Sequence, residues 1–165
     1  MTDSMILSIK LLFLMGFTLH NLEESAWLPE WSKQARKFHA PVEKSHYIFA
    51  TIIITMIGYL VTLVDILSDE PGSIPNYLYL GFIGMMGVNA ILPHLVATLL
   101  LKKYAPGLLT GILLNLPISI VIIKEYLHKG VEVYLLILSI AIVTGLVLFS
   151  LKYLFKLGEK LLRYG

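Results

Sequence analysis

The stretch His20-Asn21-Leu22-Glu23-Glu24 sets an imidazole and two carboxylates at i, i+3 and i+4. On an α-helix these positions share one face, so the three side chains can converge. Imidazole nitrogen and carboxylate oxygen both ligate zinc or iron, and three such ligands plus a water make a catalytic zinc site. His20 and Glu24 are the first candidate metal ligands, with Glu23 as general base or fourth ligand. His94, far along the chain, is the candidate third metal ligand. Asn89 and Thr110 are candidates to orient these groups or a substrate. The order His-x-x-Glu reverses the Glu-x-x-His order of di-iron bundles, and the chain has fewer carboxylates at this depth than two irons need. One divalent cation, zinc rather than iron, is therefore the expected cofactor. A metal-activated water could hydrolyse an ester, amide or phosphoester of a lipid or other hydrophobic substrate.

The elements that must position these residues lie in a membrane. Of 165 residues, 57% are hydrophobic and 15% charged, against about 25% charged in soluble domains. The absence of cysteine excludes disulfides, thiolate metal sites and a cysteine nucleophile. No serine stands in a G-x-S-x-G setting, which argues against a serine hydrolase. A net charge of +2 gives no reason to expect nucleic acid as a partner.

A spanning helix needs about 20 mostly apolar residues. Five stretches qualify: Met5–Trp27, His46–Leu67, Ile74–Leu101, Gly107–Ile123 and Val131–Phe155. The expected fold is a single all-α transmembrane domain, a five-helix bundle spanning the cell membrane. The first stretch has no basic region before it and no small-residue cleavage site after it, so it reads as a span rather than a signal peptide. Lysines and arginines number ten in the odd loops and tail against two in the even loops. Basic loops stay in the cytoplasm, which predicts an external N-terminus and a cytoplasmic C-terminus. Leu28–Ser45, with Pro29 and Pro41, reads as a broken segment on the membrane surface. Leu151–Arg163, mixing leucine with lysine, reads as the emerging end of the fifth helix.

Depth links the two histidines. His20 precedes Trp27 by seven residues and His94 precedes Lys102 by eight. At 1.5 Å per residue both lie roughly 10–12 Å inside the same interface. Gly81, Gly84, Gly87 and Ala90 form a small-residue stripe of the kind that lets helices approach closely, and His94 continues that face into the bundle. Pro93 removes a backbone hydrogen bond and predicts a kink. The short turn before Gly107 makes the third and fourth spans antiparallel neighbours and brings Thr110 near the site.

These residues resemble a known family. His20-Asn21-Leu22-Glu23-Glu24 is similar to the signature of the HXXEE-motif membrane proteins, a group without an assigned function. The pair Asn89-(four residues)-His94 and the segment Tyr104-Ala105-Pro106-Gly107-(two residues)-Thr110 also look like that family's pattern. The resemblance runs from the first span through the fourth and implies a small multi-span membrane protein, with no substrate attached.

Other readings compete with a metal enzyme. Buried His and Glu chains can relay protons or carry a substrate cation. Five helices without an inverted repeat fit a transporter poorly, though a homodimer would restore a pathway. The same groups can also act only as polar contacts between helices, as in an accessory subunit. His39 and His46 are expected at the surface, with the alternative that His46 faces the site from the start of the second span. Asp65, Asp69 and Glu70 are expected in a solvated turn, and Lys124, Glu125 and His128 at the outer end beside water or headgroups.

Overall fold

The computed structural model describes residues 1–36, 40–68 and 72–162. Every regular element among them is helical. Five helices are long and apolar enough to cross a membrane: α1 Asp3–Gln34, α2 Lys44–Ile66, α3 Ile74–Leu101, α4 Leu108–His128 and α5 Val133–Leu162. The chain is a multi-pass membrane protein, and α3 has the limits its sequence predicts.

Helices α1 and α4 run beyond their expected ends. α1 passes through Pro29 to Gln34, so the first part of the expected surface segment is helix. Proline forfeits one backbone bond, yet the Ser32 hydroxyl donates to the Pro29 carbonyl at 2.8 Å and helps hold that turn. α4 continues to His128, which places Glu125 and Tyr126 on a buried helical face. Glu125 is therefore packed inside rather than left to water, and it accepts from the Met1 amino group at 3.1 Å.

Helices in lipid associate by close packing rather than by expulsion of water. The core is aromatic: Phe13 and Phe17 of α1 meet Phe82 of α3 edge to face, with centroids 6.4 and 5.2 Å apart. Such pairs add about 0.5–1.5 kcal/mol each beyond burial. Gly58 lets α2 lie against them, since a Cβ there would fall 2.6 Å from the Phe17 ring. The small-residue stripe of α3 serves two neighbours. Gly81 and Gly84 abut Ser139 and Ile140 of α5, whereas Ala90 meets Gly111 of α4.

A second polar cluster lies about 15 Å back along α1 from His20, at 1.5 Å per residue. Asp65, expected in a solvated turn, is fully buried there. Lys10 bonds Asp65 Oδ2 at 2.7 Å, Asn76 donates to Oδ1 at 2.8 Å, and the Tyr126 hydroxyl reaches both oxygens at 2.9 and 2.7 Å. A carboxylate so deep persists because a cation and two further donors surround it. The cluster ties α1, α2, α3 and α4 together at one end of the bundle, away from the histidines. Asp69 and Glu70 lie outside the described residues.

Candidate metal centre

Asn89 and His94 are five residues apart. At 3.6 residues per turn an α-helix would point them about 140° away from each other. Around Pro93 the backbone instead forms a π-helix, Ala90–Leu95. Its wider turn, closed i to i+5, brings residues five apart onto one face. Asn89 Nδ2 consequently lies 3.1 Å from His94 Nε2. The expected kink at Pro93 is thus a π turn, and it aims His94 inward.

His20, on α1, meets His94 edge to face with ring centroids 5.3 Å apart. Glu24 Oε1 lies 3.5 Å from His20 Nε2 and 2.9 Å from His94 Nε2. The three side chains offer ligand atoms all within 4.8 Å of one another. Donors about 2.1 Å from a tetrahedral zinc stand about 3.4 Å apart, so the spacing suits a small cation. Both histidines are buried. Asn89 Nδ2 also reaches His20 Nε2, at 3.3 Å, and touches both candidate ligand rings.

Glu23 faces a different way. Its Oε1 accepts from the Tyr104 hydroxyl and from the Gly107 N–H at 2.7 Å. Its Oε2 accepts from the Thr110 N–H at 3.2 Å and the Thr110 hydroxyl at 2.6 Å. The carboxylate therefore caps the N-terminus of α4 from another helix, where free N–H groups and the helix dipole favour an anion. The expectation of Glu23 as a fourth ligand is not met in this geometry, because four donors already hold its two oxygens. The Tyr104 hydroxyl also accepts from the Leu109 N–H at 3.1 Å. Burial, then the hydrogen bond to Glu23, pushes the Tyr104 phenol up to about 12, so it remains a donor at neutral pH.

Thr110 joins the two carboxylate sites. Its hydroxyl gives its proton to Glu23, so its oxygen accepts from His20 Nδ1, 3.1 Å away. That places the proton of a neutral His20 on Nδ1 and leaves the Nε2 lone pair facing Glu24 and His94. A carboxylate acting through a bound group to fix an imidazole tautomer is the support that metal-ligating histidines ordinarily have. Tyr47 supplies the matching support on α2, donating to Glu24 Oε2 at 2.6 Å.

Gly107 makes the approach of these parts possible. Its φ is +93°, and a Cβ there would stand 2.8 Å from His94 Cε1 and 2.9 Å from His20 Cε1. The turn must reverse tightly and leave room for both rings, and only glycine does both.

The first, third and fourth helices thus bring together all six residues singled out from the sequence: His20, Glu23, Glu24, Asn89, His94 and Thr110. Tyr47 and Tyr104 were not anticipated, although Tyr104 stands in the Tyr-Ala-Pro-Gly segment. His46 does not join the site; it pairs with Glu43 at 3.2 Å at the start of α2. His39 lies outside the described residues.

A family model described as "Protein of unknown function with HXXEE motif" matches residues 11–122. The chain belongs to this family. The matched region carries each of the six residues above. A relative from Bacillus subtilis (strain 168), the uncharacterized protein YrkK, is 44% identical over 149 residues, covering 90% of this chain and 94% of the relative. No solved structure matches the chain.

Proposed function

We propose that His20, Glu24 and His94 hold one divalent cation, zinc in preference to iron, and that the protein is a metal-dependent, hydrolase-like membrane enzyme acting on a lipid or other hydrophobic substrate. The observation that carries this reading is the convergence of the three ligand atoms within 4.8 Å inside a transmembrane bundle. Charge supports it. Glu24 brings a negative charge to a buried site that neutral imidazoles do not offset, and uncompensated charge at membrane depth is costly. A divalent cation held beside it offsets that charge.

A divalent cation held by His20, Glu24 and His94 would supply Lewis-acid chemistry, making a bound water nucleophilic near neutral pH. Among the protein's own groups, Thr110 sets the orientation of the His20 ring, Tyr47 holds Glu24, and Glu23 anchors the turn that carries Thr110; Asn89, whose amide lies against both Nε2 atoms, would give up those lone pairs to the cation. Glu23 acts as a positioning residue in this scheme, not on the water directly. The test is metal content after purification in detergent. Near-stoichiometric zinc in the wild type, lost in His20→Ala and His94→Ala variants that still fold, supports the centre. Metal-free wild-type protein from zinc-replete cells refutes it.

A second reading is proton relay or transport. It draws on the buried Lys10–Asp65 cluster and on α4, where the buried Asn115 and Ser119 lie between Thr110 and Tyr126. Protonated histidines would then balance the carboxylates in place of a metal. Substrate uptake by metal-free protein, abolished by His20→Ala, would select it. A non-catalytic accessory role predicts instead that His20→Ala and Glu24→Ala alter only stability.

A further inference from the structure

A cavity of about 650 Å³ opens beside the triad. His20, Glu24, Asn89 and His94 form part of its wall, joined by Tyr47. Most of the remaining lining is apolar, including Ile54 of α2, Met85 and Met86 of α3, and Val147, Leu151 and Phe155 of α5. Sites that hold small molecules combine a largely apolar wall with a few convergent polar groups in this way.

The packing of α3 on α5 shows where a ligand would enter. At Gly81 and Gly84 the two helices touch so closely that a Cβ would fall 2.7 Å from the Ser139 carbonyl and 2.5 Å from Ile140. Nearer the histidines, Leu92 and Leu100 of α3 and Leu148 of α5 line the same cavity yet are 60%, 59% and 64% exposed. Residues that both line a cavity and reach the outside mark its mouth. This mouth is flanked by apolar side chains on two membrane-crossing helices, so it faces lipid rather than water.

We infer that the cavity binds one long hydrocarbon chain of a membrane amphiphile, entering sideways between α3 and α5, with the polar linkage drawn to His20, Glu24 and His94. The volume favours a single chain. If a methylene takes about the space of a water, about 30 Å³, the cavity holds roughly twenty such units, enough for one long acyl or isoprenoid chain and its first polar group but not for two chains. The head assignment rests on the proposed metal centre; the chain site does not.

The full-length protein in detergent is titrated with cis-parinaric acid, a fluorescent long-chain fatty acid, with zinc content measured on the same samples. Val147→Trp fills the cavity and should weaken probe binding about tenfold, the factor for displacing two methylenes from an apolar site. Thr144→Phe, also on the lining, should act in the same direction. Leu146→Trp, 60% exposed and off the lining, should leave binding unchanged, and all three should keep wild-type zinc. Wild-type protein that fails to saturate, or affinity indifferent to both cavity substitutions, overturns the chain site. Val147-dependent probe binding by zinc-free wild-type protein supports the chain site and refutes the metal centre, so the two failures are distinct.

Discussion

Replacing Gly107 by alanine tests whether the turn before α4 is shaped by the histidines. Two separable penalties follow from the structure. The first is conformational: at φ +93° a side chain is strained, by about 1–3 kcal/mol. The second is steric: the new methyl would press on His94 and His20 at 2.8 and 2.9 Å, and on Glu24 Cγ at 3.1 Å. Overpacking of this kind adds about 1–3 kcal/mol. Gly130→Ala provides the control, because its φ of +91° carries the same strain while nothing lies within 4 Å of its Cβ. Both variants should lose thermal stability in detergent, Gly107→Ala the more. Only Gly107→Ala should lose metal affinity, by about 10–100-fold, the range for disturbed ligand support. Competition with a graded series of zinc chelators measures that affinity. Equal affinity in Gly107→Ala and wild type, or equal loss in Gly130→Ala, would refute the steric account.

Three further outcomes are expected. Thr110→Val keeps the side-chain shape but leaves His20 Nδ1 without its acceptor; chelator competition should show about 10–100-fold weaker zinc binding, while Thr110→Ser stays near wild type. Lys10→Met strands the buried Asp65 carboxylate and should cost about 3–5 kcal/mol, whereas the double variant Lys10→Met/Asp65→Leu should recover most of that; thermal unfolding in detergent compares them. Because the chain has no cysteine, a single cysteine reports sidedness: in intact cells an impermeant maleimide should label Lys129→Cys and spare Lys103→Cys, and the reverse pattern would invert the topology argued from the basic loops.

Much of this architecture is legible in the sequence because the membrane imposes strong local rules. Long apolar runs mark the five helices, and α3 begins and ends where its pattern does. Helix ends are less legible where an interaction outside the run decides them. α1 outlasts Pro29 with a bond from Ser32 helping to hold that turn, and α4 reaches His128 with Tyr126 turned inward to Asp65. The six residues of the candidate centre were legible from chemistry and depth, since ionisable groups inside a span demand a reason. Their division of labour was not. Helical spacing alone puts Glu23 and Glu24 together with His20, but only the position of the α3–α4 turn decides which carboxylate faces the imidazoles and which caps α4. Nor does an α-helical reading join Asn89 to His94; the π turn at Pro93 does. The Lys10–Asp65 pair went unread for a simpler reason. Lys10 lies inside the first span rather than in a loop, and counting loop charges passes over it.

Anomalous diffraction across the zinc absorption edge, on crystals of the protein grown from detergent or lipid, would locate the cation itself. A single strong peak is expected among His20 Nε2, Glu24 Oε1 and His94 Nε2, absent from His94→Ala crystals. Imidazoles hydrogen-bonded to Glu24 with no anomalous density between them, in protein kept in zinc throughout, would contradict the metal centre.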